Sequence, residues 1–147
     1  MEALTRFSKA RGPREVRLIR PQDRDRGTSQ TPGLDRETAI DDRSVGARTL
    51  WMGFVRMGPG ARSAPHHHGA SESGIYVIRG ALRLRFGTRL DRSVDAHAGD
   101  FIYVPPRAVH QETNLSPEDP VDQIVVRDSP QNIVVERRRR KRSRKLR

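Results

Sequence analysis

Between residues 81 and 86 the chain alternates cleanly, with Leu82, Leu84 and Phe86 on one side and Arg83 and Arg85 on the other. A two-residue period is what a strand buried on one face requires, so residues 81–86 are predicted as a half-buried strand. Residues 49–57 (TLWMGFVRM) are rich in aromatic and apolar side chains, as a strand covered on both faces should be, and Gly58-Pro59-Gly60 ends them with turn chemistry. Residues 74–79 stop at Gly80, and residues 101–104 run from Gly99-Asp100 to Pro105-Pro106. Further strands are expected at 15–20, around His66, at 109–113, at 121–127 and at 133–136, with a weak one at 93–96. Residues 21–35 are polar, carry Gly27, Pro32 and Gly33, and read as a long loop. No stretch keeps a helical period over a useful length. Short strands at short spacing, punctuated by Gly and Pro, indicate an all-β, antiparallel sandwich or small barrel. Trp51, Phe54, Tyr76, Phe101 and Tyr103 are expected to pack in its core.

At 147 residues the chain is long enough for one domain with a real core. There is no cysteine, which excludes disulfides and thiolate ligands and leaves nitrogen and oxygen to hold any metal. The first residues lack the apolar run of a signal peptide and no later stretch could span a bilayer, so a cytoplasmic protein is expected. The net charge of +11 suggests nucleic acid until it is located. Residues 137–147 (RRRRKRSRKLR) hold nine of the positive charges and no acid, leaving +2 for residues 1–136. The expected organisation is a poorly ordered lead-in over 1–13, one domain over 14–136 and a disordered basic tail over 137–147. Such a tail would bind phosphate backbones weakly and without sequence preference.

Three of the five histidines stand side by side at 66–68, Glu72 follows, and His110 lies far downstream. On an extended strand His66 and His68 share a face and His67 takes the opposite one. Two imidazoles, a nearby carboxylate and a third imidazole from elsewhere make a ligand set for a divalent transition metal. The other reading of this stretch alone is a polar, histidine-rich surface loop. His97 sits in a polar segment and reads as a loop residue.

Two segments, taken together, resemble the paired motifs of the cupin superfamily. The first runs from Gly60 through His66-x-His68 and Glu72 to Tyr76-Val77-Ile78-Arg79-Gly80; the second is Gly99, Pro105, His110 and Asn114 within GDFIYVPPRAVHQETN. The likeness is to small bacterial single-cupin proteins and covers about residues 45–136. Two departures stand out: Arg107 replaces a usual glycine, and Glu72 is one residue further from Gly80 than is common, with Ser73 at the other candidate position. The resemblance implies an antiparallel jelly-roll β-barrel enclosing one divalent ion (Fe, Mn, Ni, Zn or Cu) held by His66, His68, Glu72 and His110. It implies a mononuclear metal-dependent enzyme of dioxygenase type acting on a small organic molecule, or isomerase or lyase chemistry with a redox-inert ion. The alternative is a non-enzymatic small-molecule sensor. Tyr103 is the candidate polar contact to substrate; Arg79 and Arg107 are candidates to bind a substrate carboxylate or phosphate, against the reading of both as solvated arginines. A homodimer is expected from the resemblance, through Met52 and Phe54 if they face outward.

Overall fold

The computed structural model describes residues 15–137. The lead-in expected over 1–13 and the tail beyond Arg137 lie outside the described residues. The strands are β1 Asp35–Ile40, β2 Trp51–Met57, β3 His66–His67, β4 Ser73–Arg79, β5 Ala81–Phe86, β6 Arg92–His97, β7 Phe101–Val104, β8 His110–Asn114, β9 Val121–Arg127 and β10 Val135–Glu136, with a 3₁₀ turn at Pro21–Asp23 and a short α-helix, α1, at Asp42–Val45. They form two antiparallel five-stranded sheets, ordered β1-β2-β9-β4-β7 and β10-β3-β8-β5-β6, stacked as a jelly roll. Among the described residues no helix is long and apolar enough to cross a membrane.

The core lies between the sheets. Trp51, Val55, Met57, Ile75, Val77, Val104, Val121 and Val125 come from the first sheet, and Leu82, Leu84 and Ala96 from the second. Burial alternates along β2, β4, β5 and β8, so there the two-residue period decides what enters the interior. Trp51 is the pivot. Its indole N–H donates to Thr38 Oγ1 (3.0 Å), and its ring folds so close to Gly53 that a Cβ there would stand 2.4 Å from it and 2.7 Å from the Glu37 carbonyl oxygen. Glycine is therefore required at 53 for the tryptophan to lie flat.

Three expectations are corrected. Residues 15–20 join neither sheet; Val16 and Leu18 are 99% and 70% exposed. A strand forms instead at β1, hidden from an apolar-period reading because its inward side chains are Arg36 and Thr38. Strand β2 is not covered on both faces: Met52 and Phe54 are half-buried and Arg56 is exposed, with Phe54 covered by the guanidinium groups of Arg24 (4.6 Å) and Arg56 (5.6 Å). Of the predicted core aromatics only Trp51 is buried. Tyr76, Phe101 and Tyr103 point outward because Ile75, Val77, Ile102 and Val104 take the inward positions of β4 and β7. Tyr76 and Phe101 are ladder partners whose rings lie 4.8 Å apart on the outer face.

Candidate metal centre

The two sheets bring different chemistry to one space. From the second come His66 on β3, His68 one residue past its end, and His110 and Glu112 on β8; from the first come Arg36 on β1, Ser73 on β4 and Arg127 on β9. All seven are buried. His66 and His110 are ladder partners, which sets their rings 4.4 Å apart, and His68 lies 4.9 Å from the first and 5.3 Å from the second. One nitrogen of each imidazole lies within 4.8 Å of the others. The space these groups enclose measures about 10 Å³, near the volume one water needs and so room for a single small ion.

Which nitrogen is bare follows from the partners. A carbonyl oxygen only accepts, and Nδ1 of His66, His68 and His110 faces the carbonyls of Ala64 (2.8 Å), Ile133 (2.7 Å) and Ala108 (2.8 Å). Nδ1 therefore carries the proton in all three rings. Nε2 of His66 then accepts from Arg36 Nη2 (3.3 Å), and Nε2 of His68 from Arg127 Nη2 (3.2 Å). Since arginine can only donate, the two assignments agree. A backbone carbonyl on the far nitrogen is the arrangement that orients metal-ligating histidines.

Burial keeps the rings neutral. Desolvation, then the neighbouring His110, lowers His66 from 6.5 to about 3. Burial, then the Arg127 charge, lowers His68 further. Burial also lowers His110, against the opposing pull of Glu112. Arg127, inside the barrel, falls to about 9 through burial and its neighbour Arg36, and stays a cation at neutral pH. Neutral imidazoles with an unprotonated nitrogen are the state a divalent ion takes, so the residues present fit a metal.

Glu72 is not brought to the histidines. Strand parity buries Ser71 and Ser73 and turns the residue between them outward, where its amide donates to Asp128 Oδ1 (3.0 Å) and its Oε2 receives a long hydrogen bond from the Tyr103 hydroxyl (3.5 Å). Tyr103, 64% exposed, lies outside with it. Ser73 takes the inward place. Arg79 is committed to Asp122 (2.7 Å), and Arg107 sits exposed in the left-handed region (φ 58°), so the turn carries a side chain where glycine is usual. His67 is half-buried beside the cluster but turned away from it, and His97 is exposed at the end of β6.

Arg36, Glu112 and Arg127 were not anticipated. Glu112 was within reach of the parity that paired His66 with His68, because it stands two residues after His110 on the same strand. Its carboxylate has no hydrogen bond among the described residues, and it acts on His110, Arg36 and Arg127 through its charge. Outside the centre, a groove of about 910 Å³ runs between the edge strands β6 and β7; Phe86, Val94, Phe101, Tyr103 and Arg107 line it, and it reaches His110.

Residues 53–127 match the family model for the cupin domain. Polyketide synthase CurC of Streptomyces cyaneus is 38% identical over 52 residues, 35% of this chain, and the match spans about a third (34%) of that relative's length. The polyketide cyclase RemF from Streptomyces resistomycificus superposes with a TM-score of 0.68 at 18% identity, over 86% of this chain and 89% of RemF. An oxalate oxidase in complex with the substrate analogue glycolate gives 0.63 at 21%, over 75% of this chain and 58% of its own. Lactobacillus farciminis oxalate decarboxylase gives 0.65 at 23%, over 76% and 33%. These structural likenesses establish the fold.

Proposed function

The chain belongs to the cupin family, and from that premise we propose that it is a metal-dependent enzyme acting on a small, largely apolar molecule of polyketide type. The observation that carries the reading is the set of three buried imidazoles, each with Nδ1 tied to a backbone carbonyl and with one nitrogen of each within 4.8 Å of the others. His66, His68 and His110 would hold the ion. Bound there, a divalent ion supplies Lewis-acid polarisation of a carbonyl or, if it is iron, oxygen chemistry.

The rest falls to the chain's own residues. The apolar groove at His110 receives a flat, carbon-rich molecule. Arg107 on its rim offers a cation to a polar end. Glu112, a buried carboxylate in the same space as the histidines, is the group we assign to proton transfer. The likeness to CurC and RemF, a polyketide synthase and a polyketide cyclase, supports the substrate class.

An oxygenase is the second reading, favoured by three neutral nitrogen ligands, which leave half the positions of an octahedral ion to outside groups. Metal-reconstituted protein incubated with poly-β-ketone and polyphenolic substrates separates the two. Cyclase or isomerase chemistry gives products of equal mass, or lighter by one water, with no oxygen uptake; an oxygenase consumes oxygen and gives heavier products. Saturable binding with no turnover of any substrate would instead show a binding module. The homodimer is also a proposal: the outer face of β4 at Tyr76 and Ile78 is more exposed than Phe54 and is the better candidate for it.

A further inference from the structure

We infer that the metal site of this chain is completed by an external oxyanion, a carboxylate oxygen held by Ser73 and Arg127 beside the histidines; the inference rests on the metal-binding reading above. Two buried donors point to it. Ser73 Oγ and Arg127 Nε are both enclosed, and neither has a hydrogen-bond partner among the described residues. Ser73 and Arg127 are ladder partners on β4 and β9, so their side chains stand next to one another on the wall of the ion-sized space. Arg127 is fixed there from two sides. Its guanidinium stacks on the Trp51 ring at 4.6 Å, and its Nη1 donates to Asn132 Oδ1 at 2.8 Å. Buried donors are almost always satisfied, and two neighbouring ones without a partner mark the place of an acceptor that the chain does not provide.

The charges point the same way. Two guanidinium groups and one carboxylate, Glu112, surround three neutral imidazoles. A divalent ion needs the nitrogen lone pairs that Arg36 and Arg127 now engage, and it adds two positive charges beside theirs. An anionic oxygen on the ion offsets that repulsion and gives the displaced N–H groups an acceptor. An internal carboxylate would do the same, but Glu72 is outside, the inward residue there is neutral Ser73, and Glu112 neither joins the cluster of ligand atoms within 4.8 Å of one another nor accepts from Ser73 Oγ or Arg127 Nε. About 10 Å³ holds the ion alone, so the oxygen enters as Arg36 and the Nη2 group of Arg127 move off the histidine nitrogens, with Arg127 keeping its seat on Trp51 and Asn132.

Ion and carboxylate must then strengthen each other's binding by the same factor. The test is calorimetric titration of metal-free protein with Co²⁺ and Zn²⁺, in acetate, in formate and in perchlorate of equal ionic strength, corrected for association in bulk solution, with the visible spectrum of Co²⁺ as a second readout. The expected result is metal binding at least tenfold tighter in either carboxylate than in perchlorate, with a Co²⁺ spectrum that changes between them. Ser73→Glu places a carboxylate in the chain and is expected to bind the metal tightly in perchlorate, with the acetate effect gone. Arg127→Gln is expected to weaken the acetate effect and tighten binding in perchlorate. Metal bound with equal affinity and spectrum in all three salts overturns the inference and leaves the metal site standing. No metal bound in any salt overturns both. The comparison on the unaltered protein decides the matter even if Arg127→Gln fails to fold.

Discussion

Lowering the pH should unfold the metal-free protein well before its carboxylates titrate, and His66 sets the scale. Its imidazole is fully buried and its folded value, about 3, lies far below the 6.5 of an exposed histidine. A group whose folded value is depressed contributes fully above its unfolded value and loses that contribution as the pH falls. The window therefore opens near pH 6.5 and closes near pH 3. A tenfold difference in proton affinity between the folded and unfolded chain is worth about 1.4 kcal/mol, so His66 alone removes about 2 kcal/mol between pH 7.5 and pH 5 and about 4 kcal/mol by pH 3. His68 and His110 are lowered in the same direction and add to the loss. Against a typical total of about 5–15 kcal/mol, this is a large fraction. Urea unfolding of chelator-treated protein at pH 7.5, 6 and 5 measures it, and His66→Asn should flatten the slope. A stability that stays level from pH 7.5 to 5 would refute the reasoning, because it would mean that the rings are not held neutral inside the barrel.

Glu72→Ala should leave metal affinity within about twofold, since its side chain is on the outer face; a loss of tenfold or more by titration calorimetry would show that Glu72 turns inward to the ion. Gly53→Ala should cost about 2–3 kcal/mol in urea unfolding, because a Cβ 2.4 Å from the Trp51 ring forces the indole off its seat and with it the support of Arg127; an unchanged midpoint would contradict the packing. Asp122→Asn removes the negative charge shared by Arg56 and Arg79, whose side chains are about half exposed, so the loss should be only about 1 kcal/mol and should shrink further in 1 M salt. A loss that does not change with salt would mean the pairs act by packing.

Most of the fold was legible because β5 alternates and β7 and β9 are short apolar-rich runs, each lying between Gly or Pro stops, and these three strands appear with the bounds expected of them. Strand β1 was not legible, since Arg36 and Thr38 face inward and the outward residues are no less polar. The exposed aromatics were misplaced for the complementary reason. Composition says that Phe101 and Tyr103 are apolar or aromatic, but only register says which way an edge strand turns them. At the site, local parity placed His66 and His68 on one face and His67 on the other. The same parity, counted from Ser71, sends Glu72 out and Ser73 in. The arginines belong to strands of the opposite sheet, and their meeting with the imidazoles depends on how the sheets stack, which no local pattern records.

The central claim is that the three imidazoles share one divalent ion, and metal content per chain tests it most directly. Protein made without a histidine tag, reconstituted with Mn, Fe, Co, Ni or Zn in the presence of acetate and desalted, is measured by elemental analysis beside its His66→Ala, His68→Ala and His110→Ala variants. The predicted result is about one ion per chain in the unaltered protein and almost none in each variant that remains folded. An unaltered protein that retains no divalent ion, or variants that retain as much as it does, would contradict the account.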